Sequence, residues 1–284
     1  MLAATRFRRL LEAPDLVVAP GVYDAITARL AQQAGFAALY MTGAGVSASL
    51  GYPDYGLVTM SEMVDRAGVI AASTSLPLVS DADTGYGNEL NVTRTVREFE
   101  ARGVAAIHIE DQVSPKRCGH LEGKVLVGRD EFTAKIRAAV AARRDPTFTI
   151  IARSDARGVN GLDDAIERVN AALAAGADVA FVESPVSVDE VAAIPQRVNG
   201  PCMLNIVQGG KTPVFDLRDV REMGYRLAIV PAATLVPAIV AIDAALAALR
   251  ASGVVAQTPA GLDVRALFRR FGADEWDAVR GEYA

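Results

Sequence analysis

The feature that most constrains this chain is a rhythm. Eight short β-branched or apolar runs recur at 16–20, 38–42, 78–83, 105–111, 148–154, 179–184, 202–206 and 226–231. Each is followed by a segment with helical spacing, at 24–34, 61–73, 89–102, 130–143, 162–174, 188–198, 217–223 and 235–251. Glycines at 35, 103, 176 and 224 close several of these segments just before the next run, as helix C-termini prefer. Such alternation implies parallel strands with helical crossovers. Eight units fit a closed α/β barrel of the (β/α)8 TIM type better than an open doubly wound sheet. No linker interrupts the pattern, so residues 1–284 are read as one domain. Residues 252–284 form a C-terminal extension carrying Phe268, Phe271 and Trp276, which is either helical and packed against another subunit or a frayed tail.

Charge and composition narrow the function classes. With 29 Lys+Arg against 34 Asp+Glu the net charge is -5, which predicts no nucleic-acid partner. Two cysteines, Cys118 and Cys202, make no disulfide framework and fit a reducing, cytoplasmic setting. Arg6, Arg8 and Arg9 precede no apolar signal-peptide region. The apolar run 227–249 is interrupted by Pro231, Pro237 and Asp243, so no membrane span is expected.

In a barrel the reactive groups belong at the C-terminal strand ends. Asp81 and Asp83 close the third strand at i and i+2, which places both carboxylates on one face of a pleat. His108 and Glu110 share a face of the fourth. Converging carboxylates fit Mg²⁺ or Mn²⁺, or else a solvated acidic rim paired with an Arg. His108 is read as a hydrogen-bonded core residue rather than a ligand. Arg153, Glu183 and Asn205 close the fifth, sixth and seventh strands, a polar ring that barrel stability does not require, and an Arg fork there suits a carboxylate or phosphate. After the fourth strand, Lys116, Arg117 and His120 surround Cys118 in a glycine-bracketed loop. These cations would lower the thiol pKa and make Cys118 a proton donor or acceptor; the alternative is a basic surface loop with an incidental thiol. Cys202 reads as core.

Gly43-Ala44-Gly45-Val46-Ser47-Ala48 fits the dinucleotide fingerprint G-x-G-x-x-A. Gly51 and Pro53 follow at once, so no helix is expected there to receive a pyrophosphate. The amides of Thr42, Gly43 and Ala44 would instead form a nest for a substrate carboxylate.

Taken in order, Tyr40-Met41-Thr42-Gly43-Ala44-Gly45, Gly51-Tyr52-Pro53-Asp54, Asp81-Ala82-Asp83-Thr84-Gly85-Tyr86-Gly87, Ile109-Glu110-Asp111-Gln112 and Ala152-Arg153-Ser154-Asp155-Ala156-Arg157 make the chain resemble the isocitrate lyase/phosphoenolpyruvate mutase superfamily. The likeness runs from about Val17 to Leu249. Pro115-Lys116-Arg117-Cys118-Gly119-His120 resembles its lyase branch, whose substrates are of the 2-methylisocitrate or alkylmalate type. The resemblance implies Mg²⁺-dependent C–C cleavage of a small anionic 2-hydroxy di- or tricarboxylate to pyruvate and an acid such as succinate. It further implies a homotetramer, a dimer of helix-swapped dimers. By position, Asp81, Asp83 and Glu110 would hold the metal largely through water, with Asp54 nearby. Thr42, Gly43, Ala44, Arg153, Glu183 and Asn205 would bind substrate. Cys118 would be the general acid and Tyr40 a candidate base, with Lys116, Arg117 and His120 completing the catalytic loop. Gln208 stands where many relatives have Glu, Thr42 replaces the commoner Ser, and Gly209-Gly210-Lys211-Thr212-Pro213 looks like the dimethylmalate lyase subgroup. Oxaloacetate hydrolysis or decarboxylation, phosphonate mutase chemistry (disfavoured by Cys118) and a silent barrel are the alternatives.

Overall fold

Parallel pairing of each strand with the next closes a ring. A computed structural model, described over residues 2–283, contains β1 (Val17–Val22), β2 (Leu39–Met41), β3 (Leu78–Asp81), β4 (Ala106–Glu110), β5 (Thr149–Ser154), β6 (Val179–Val182), β7 (Cys202–Asn205) and β8 (Leu227–Val230). They form a closed barrel in chain order, with β8 returning to pair with β1. The crossovers are α2 (Ala25–Gln33), α3 (Gly43–Ser49) with α4 (Met60–Ser73), α5 (Glu89–Ala101), α6 (Arg129–Ala142), α7 (Leu162–Ala174), α8 (Val188–Arg197) and α9 (Leu217–Glu222). This is the TIM-type barrel that the rhythm predicts.

Strand alternation divides the core into two layers. Outward residues such as Leu39, Met41, Leu78, Ile107, Ile109 and Ile150 meet helix faces including Ala28, Ala67, Val96, Phe99 and Phe132. Inward residues Val17, Ala19, Val79, Ile151, Val179, Phe181, Met203 and Leu227 fill the barrel. Cys202 is buried among Val182, Leu204 and Ala228, the core position expected of it.

An N-terminal helix, α1 (Ala3–Glu12), lies outside the eight units. Its Phe7 is fully buried with the residues that begin the strands, including Val17, Ala38 and Ala105. Arg8 donates to the carbonyl of Thr147 at 3.1 Å and pairs with Asp178 at 2.7 Å, both ahead of strands at the same end. Phe7 is therefore the stopper of the barrel's N-terminal end.

A second helix contradicts the sequence expectation. Residues 43–49 do form α3, because Thr42 Oγ1 caps Gly45 N–H at 3.3 Å and Gly51, at φ +84°, takes the left-handed turn that ends it. Gly51 thus terminates the helix rather than preventing it.

The chain divides into two compact units, Met1–Leu235 and Val236–Ala284. All but the first residue of α10 (Leu235–Ser252), together with α11 (Val264–Arg269) and α12 (Ala273–Glu282), belongs to the second, so the C-terminal extension is helical. Pro237 and Asp243 do not break α10. Pro237 is its third residue, where a missing N–H costs nothing. By length and composition alone α10 is apolar enough to cross a membrane, and it buries none of its residues within the chain.

Phe7→Ala should destabilise the barrel by about 3–5 kcal/mol, the usual range for emptying a buried aromatic site. Urea unfolding followed by tryptophan-independent far-UV circular dichroism measures it; a midpoint equal to the parent's would remove the stopper role.

Candidate active site

Strand register brings the polar residues together. Asp81 is paired with His108 across β3–β4, and Glu110 with Arg153 across β4–β5. All four are buried at the C-terminal end of the barrel. His108 Nε2 lies 2.8 Å from Tyr40 Oη and 3.6 Å from Asp81 Oδ1. It is a hydrogen-bonded core histidine, as expected, and burial pushes its pKa down to about 4. Burial, with Asp81 beside it, also holds Tyr40 well above the ordinary phenol value, so its hydroxyl is protonated.

Asp83 reaches the site differently from the pleat argument. β3 ends at Asp81, and Asp83 has φ +45°, a left-handed turn that aims its N–H at Asp81 Oδ1, 3.0 Å away. Tyr86 and Ser184 share such positive φ angles, at +63° and +57°, so the non-glycine positive-φ residues among those described all follow strands at this end. Backbone strain of this kind collects where function over-determines geometry.

Lys116 carries the main positive charge against this acidic side. Its Nζ is 2.5 Å from Asp54 and 3.0 Å from Asp83, and the residue is 3% exposed. Arg153 is divided: Nη1 is 3.2 Å from Glu110, and Nε and Nη2 hold Asp155 at 2.9 and 3.2 Å. Glu183 is fully buried and meets His120 Nε2 at 3.0 Å and Asn205 Nδ2 at 3.2 Å. Glu183 is buried, yet Arg153, His120 and Asn205 hold its pKa well below the carboxylate range. Burial dominates at Glu110, which is pushed well up, and at Asp83, raised to about 6.

The cysteine loop lines one side of a cavity. A cavity of about 120 Å³ is lined by Tyr40, Thr42, Ala44, Asp54, Asp81, Cys118, His120, Arg153, Glu183 and Asn205, with Val207, Pro231, Ala232 and Leu235 as an apolar wall. That is below the ~300 Å³ of a drug-sized pocket and suits a small acid. Gly119 packs so closely that a Cβ would stand 2.5 Å from Arg153 Nη2. Gly43, in the first turn of α3, would likewise place a Cβ 2.4 Å from Asp81 Oδ2. The N–H groups of Gly43 and Ala44 belong to that first turn and have no intrahelical acceptor.

The expected depression of the Cys118 pKa is reversed. Burial raises the thiol above its ordinary value and Asp54 and Glu183 push the same way, against the backbone N–H of His120 and Arg153, which lower it. The loop cations are spent elsewhere: Lys116 on carboxylates, Arg117 stacked 6.0 Å from the Tyr55 ring. Arg117 does not line the cavity. A protonated thiol is the form a proton donor needs.

Sequence reasoning passed over Asp155, Asp111, Ser184 and Lys124. Asp155 holds Arg153, Asp111 accepts from Ser154 Oγ at 2.6 Å and the Asp155 N–H at 2.8 Å, and Lys124 is buried in the cysteine loop. Asp111 and Asp155 do stand in the quoted motifs. A loop lysine, by contrast, carries no pattern that distinguishes it from a solvated one.

Among the described residues, no three His, Cys, Asp or Glu side chains converge tightly enough to enclose an ion directly. Both Glu110 carboxylate oxygens and Asp83 Oδ1 nonetheless lack a well-formed hydrogen bond, their charge answered only by Arg153 at 3.2 Å and Lys116 at 3.0 Å. A buried carboxylate oxygen left without a hydrogen bond is costly. Asp81, Asp83 and Glu110 therefore fit a hard divalent cation that retains its own waters, which would satisfy those oxygens.

The phosphoenolpyruvate phosphomutase family profile matches residues 7–250. A 2,3-dimethylmalate lyase of Eubacterium barkeri is 48% identical over 236 residues, covering 83% of this chain and 82% of that one. A 2-methylisocitrate lyase of Aeropyrum pernix is 48% identical over 227 residues, covering 80% and 73%. Among solved structures, an oxaloacetate acetylhydrolase bound to the inhibitor 3,3-difluorooxalacetate superposes with a TM-score of 0.95 at 42% identity, covering 99% of this chain and 97% of its own.

Because the thiolate is the reacting form, a raised pKa at Cys118 makes its alkylation slow at neutral pH and still climbing beyond the ordinary thiol value. In a Cys202→Ala background, iodoacetamide rates across pH measure this; a plateau below that value would contradict the burial argument.

Proposed function

The chain belongs to the phosphoenolpyruvate phosphomutase family, within the isocitrate lyase/phosphoenolpyruvate mutase superfamily, as a lyase, and on that basis we propose that it cleaves the C2–C3 bond of a 2-hydroxy di- or tricarboxylate of the alkylmalate or 2-methylisocitrate type, releasing pyruvate and a second acid such as succinate. The observation that carries this reading is a protonated, half-buried thiol lining the same small cavity as Asp54, Asp81, Arg153 and the start of α3 at Thr42 and Ala44, with Asp83 and Glu110 just behind that lining.

Thr42 Oγ1 and the Gly43 and Ala44 N–H groups would take the carboxylate of the pyruvate half, assisted by Arg153. Asn205 and His120, oriented by Glu183, would meet the second carboxylate. Asp81, Asp83 and Glu110, with Asp54 adjacent, would hold Mg²⁺ or Mn²⁺ through water. When bound, the cation supplies Lewis-acid stabilisation of negative charge on the substrate's 2-oxygen. Tyr40, itself protonated, is our candidate to relay the hydroxyl proton, taking it from the substrate as it passes its own to His108 Nε2 at 2.8 Å. The C2–C3 electron pair then moves onto the departing half as an enediolate, and Cys118 delivers its proton to C3. Loop closure keeps water from that carbanion.

The apolar wall of Val207, Pro231, Ala232 and Leu235 comes from the β7 and β8 ends, across the ring from the acidic β3 and β4 ends. It suits an alkyl substituent on the substrate. The likeness to an oxaloacetate acetylhydrolase supports a second reading, hydrolysis of oxaloacetate by the same groups.

We also propose a cytoplasmic homotetramer, a dimer of helix-swapped dimers. Val236, Ile239, Val240, Ile242 and Leu246 of α10 are all exposed, a stripe that a second copy would cover.

A pyruvate-release assay over 2,3-dimethylmalate and 2-methylisocitrate, with a glyoxylate assay on isocitrate and an oxalate assay on oxaloacetate, tests the chemistry. We expect pyruvate from an alkylmalate or 2-methylisocitrate with Mg²⁺ and none with EDTA; oxalate alone selects the second reading, and no turnover refutes both. Cys118→Ser should lower turnover by about 10²–10⁴-fold with an unchanged melting temperature, and Asp81→Ala should abolish metal stimulation. Light scattering should give a tetramer mass that Ile242→Glu reduces; a monomeric parent would refute the swap.

A further inference from the structure

Lys124 plays no part in the chemistry above, yet it is one of the most enclosed cations in the barrel mouth, 7% exposed. It stands at the fixed base of the cysteine loop. There Val113 N–H donates to the Val125 carbonyl at 2.8 Å, and Gln112 bridges Leu126. From that base its ammonium reaches back across the loop to the Gly119 carbonyl, next to Cys118. The same ammonium lies 3.1 Å from Asp155 Oδ1. Gly158 walls it in, for a Cβ there would stand 3.1 Å from Nζ.

Asp155 is the point where two tasks meet. Its carboxylate receives Arg153 Nε at 2.9 Å and Nη2 at 3.2 Å while pairing with Lys124. Its own N–H is anchored on Asp111 Oδ1 at 2.8 Å. Arg153 in turn touches Glu110 at 3.2 Å. The Gly119 carbonyl has a second donor, Ser184 Oγ at 3.0 Å, offered from a residue held at φ +57°. Two side chains, one from the base of the loop and one from the residues after β6, therefore grip one carbonyl beside the thiol.

We infer that Lys124 is a positioning residue that fastens the Cys118 loop to the carboxylate that orients Arg153, so that the thiol is seated only when the guanidinium is. The inference rests on the lyase reading for its purpose and on contacts alone for its substance. Lifting the loop would strip the ammonium from the Gly119 carbonyl and weaken its hold on Asp155, leaving Asp155 to Arg153 alone. Charged hydrogen bonds of this kind are the strong ones, so the seated state is favoured before any substrate arrives.

The test uses the full-length protein with Cys202→Ala, so that iodoacetamide reports on Cys118. Lys124→Met keeps the apolar stem and removes the ammonium; Lys124→Gln keeps an N–H donor and is the milder change should the first fold poorly. We expect Cys118 alkylation and tryptic cleavage after Lys116 or Arg117 to quicken by about tenfold or more in Lys124→Met, the size of losing one charged hydrogen bond, with the melting temperature little changed. Asp155→Asn should have the same effect, and the double variant should be no worse than either single one, because both break one link. Unchanged alkylation and cleavage, or additive effects of the two substitutions, would overturn the inference. Neither readout needs turnover, so a lyase assay that fails on every substrate refutes the proposed reaction and leaves the latch standing or falling on its own measurements. Where turnover is present, Lys124→Met should lower kcat at least as much as kcat/KM; reduced turnover with an unchanged alkylation rate would likewise overturn it.

Discussion

Charge withdrawn from water must be answered by charge, and the mouth of this barrel is organised around that demand. Asp81, Asp83 and Glu110 are buried together, with Asp54 half-buried beside them, and their near cation is Lys116. Arg153 is shared among Glu110, Asp155 and, at 3.9 Å, Glu183. Four carboxyl groups there face one lysine and a share of one arginine, and the Glu110 and Asp83 oxygens that lack a well-formed hydrogen bond lie on that β3–β4 side. The other buried carboxylates each have a cationic or histidine partner: Asp111 with Arg168, Asp155 with Lys124, Glu183 with His120. An imbalance confined to one place is what separates a binding site from a structural ion-pair network.

The ring converts that imbalance into direction. Strands β3 and β4 bring acids, β2 ends in the free amides of α3, and β7 and β8 bring an apolar wall. A bound acid would be sorted by its own polarity, chelating groups to one side and alkyl groups to the other. Only the cysteine loop comes from above, and Gly119 allows it to lie against Arg153 and Glu183 without a side chain between them.

Much of this was legible because period-2 apolar runs and glycine stops are local signals that a barrel repeats eight times. The candidate site was legible for the same reason: polar residues at strand ends stand out against an apolar background. What was not legible depended on geometry that no local pattern encodes. α1 hides Ala4, Phe7 and Leu11 at helical spacing among three arginines, and only the open end of the barrel explains why Phe7 is buried. The pleat argument for Asp83 failed because the backbone turns left-handed at that residue. The sign of the Cys118 shift was misread because neighbours in sequence are not neighbours in space: Arg117 leaves for Tyr55, and Lys116 is already taken by carboxylates. Lys124 had no signal at all, since a lysine after a glycine in a loop ordinarily points to solvent.

The side chains that fill the barrel, with Phe7 closing its N-terminal end, leave the C-terminal mouth as the doorway to the site. On the proposed reaction, both products would leave through the aperture by which the substrate entered, the piece deeper in the barrel behind the one nearer the loop. The order of their departure would then be set by the packing of the barrel, far from any residue that touches the reacting bond.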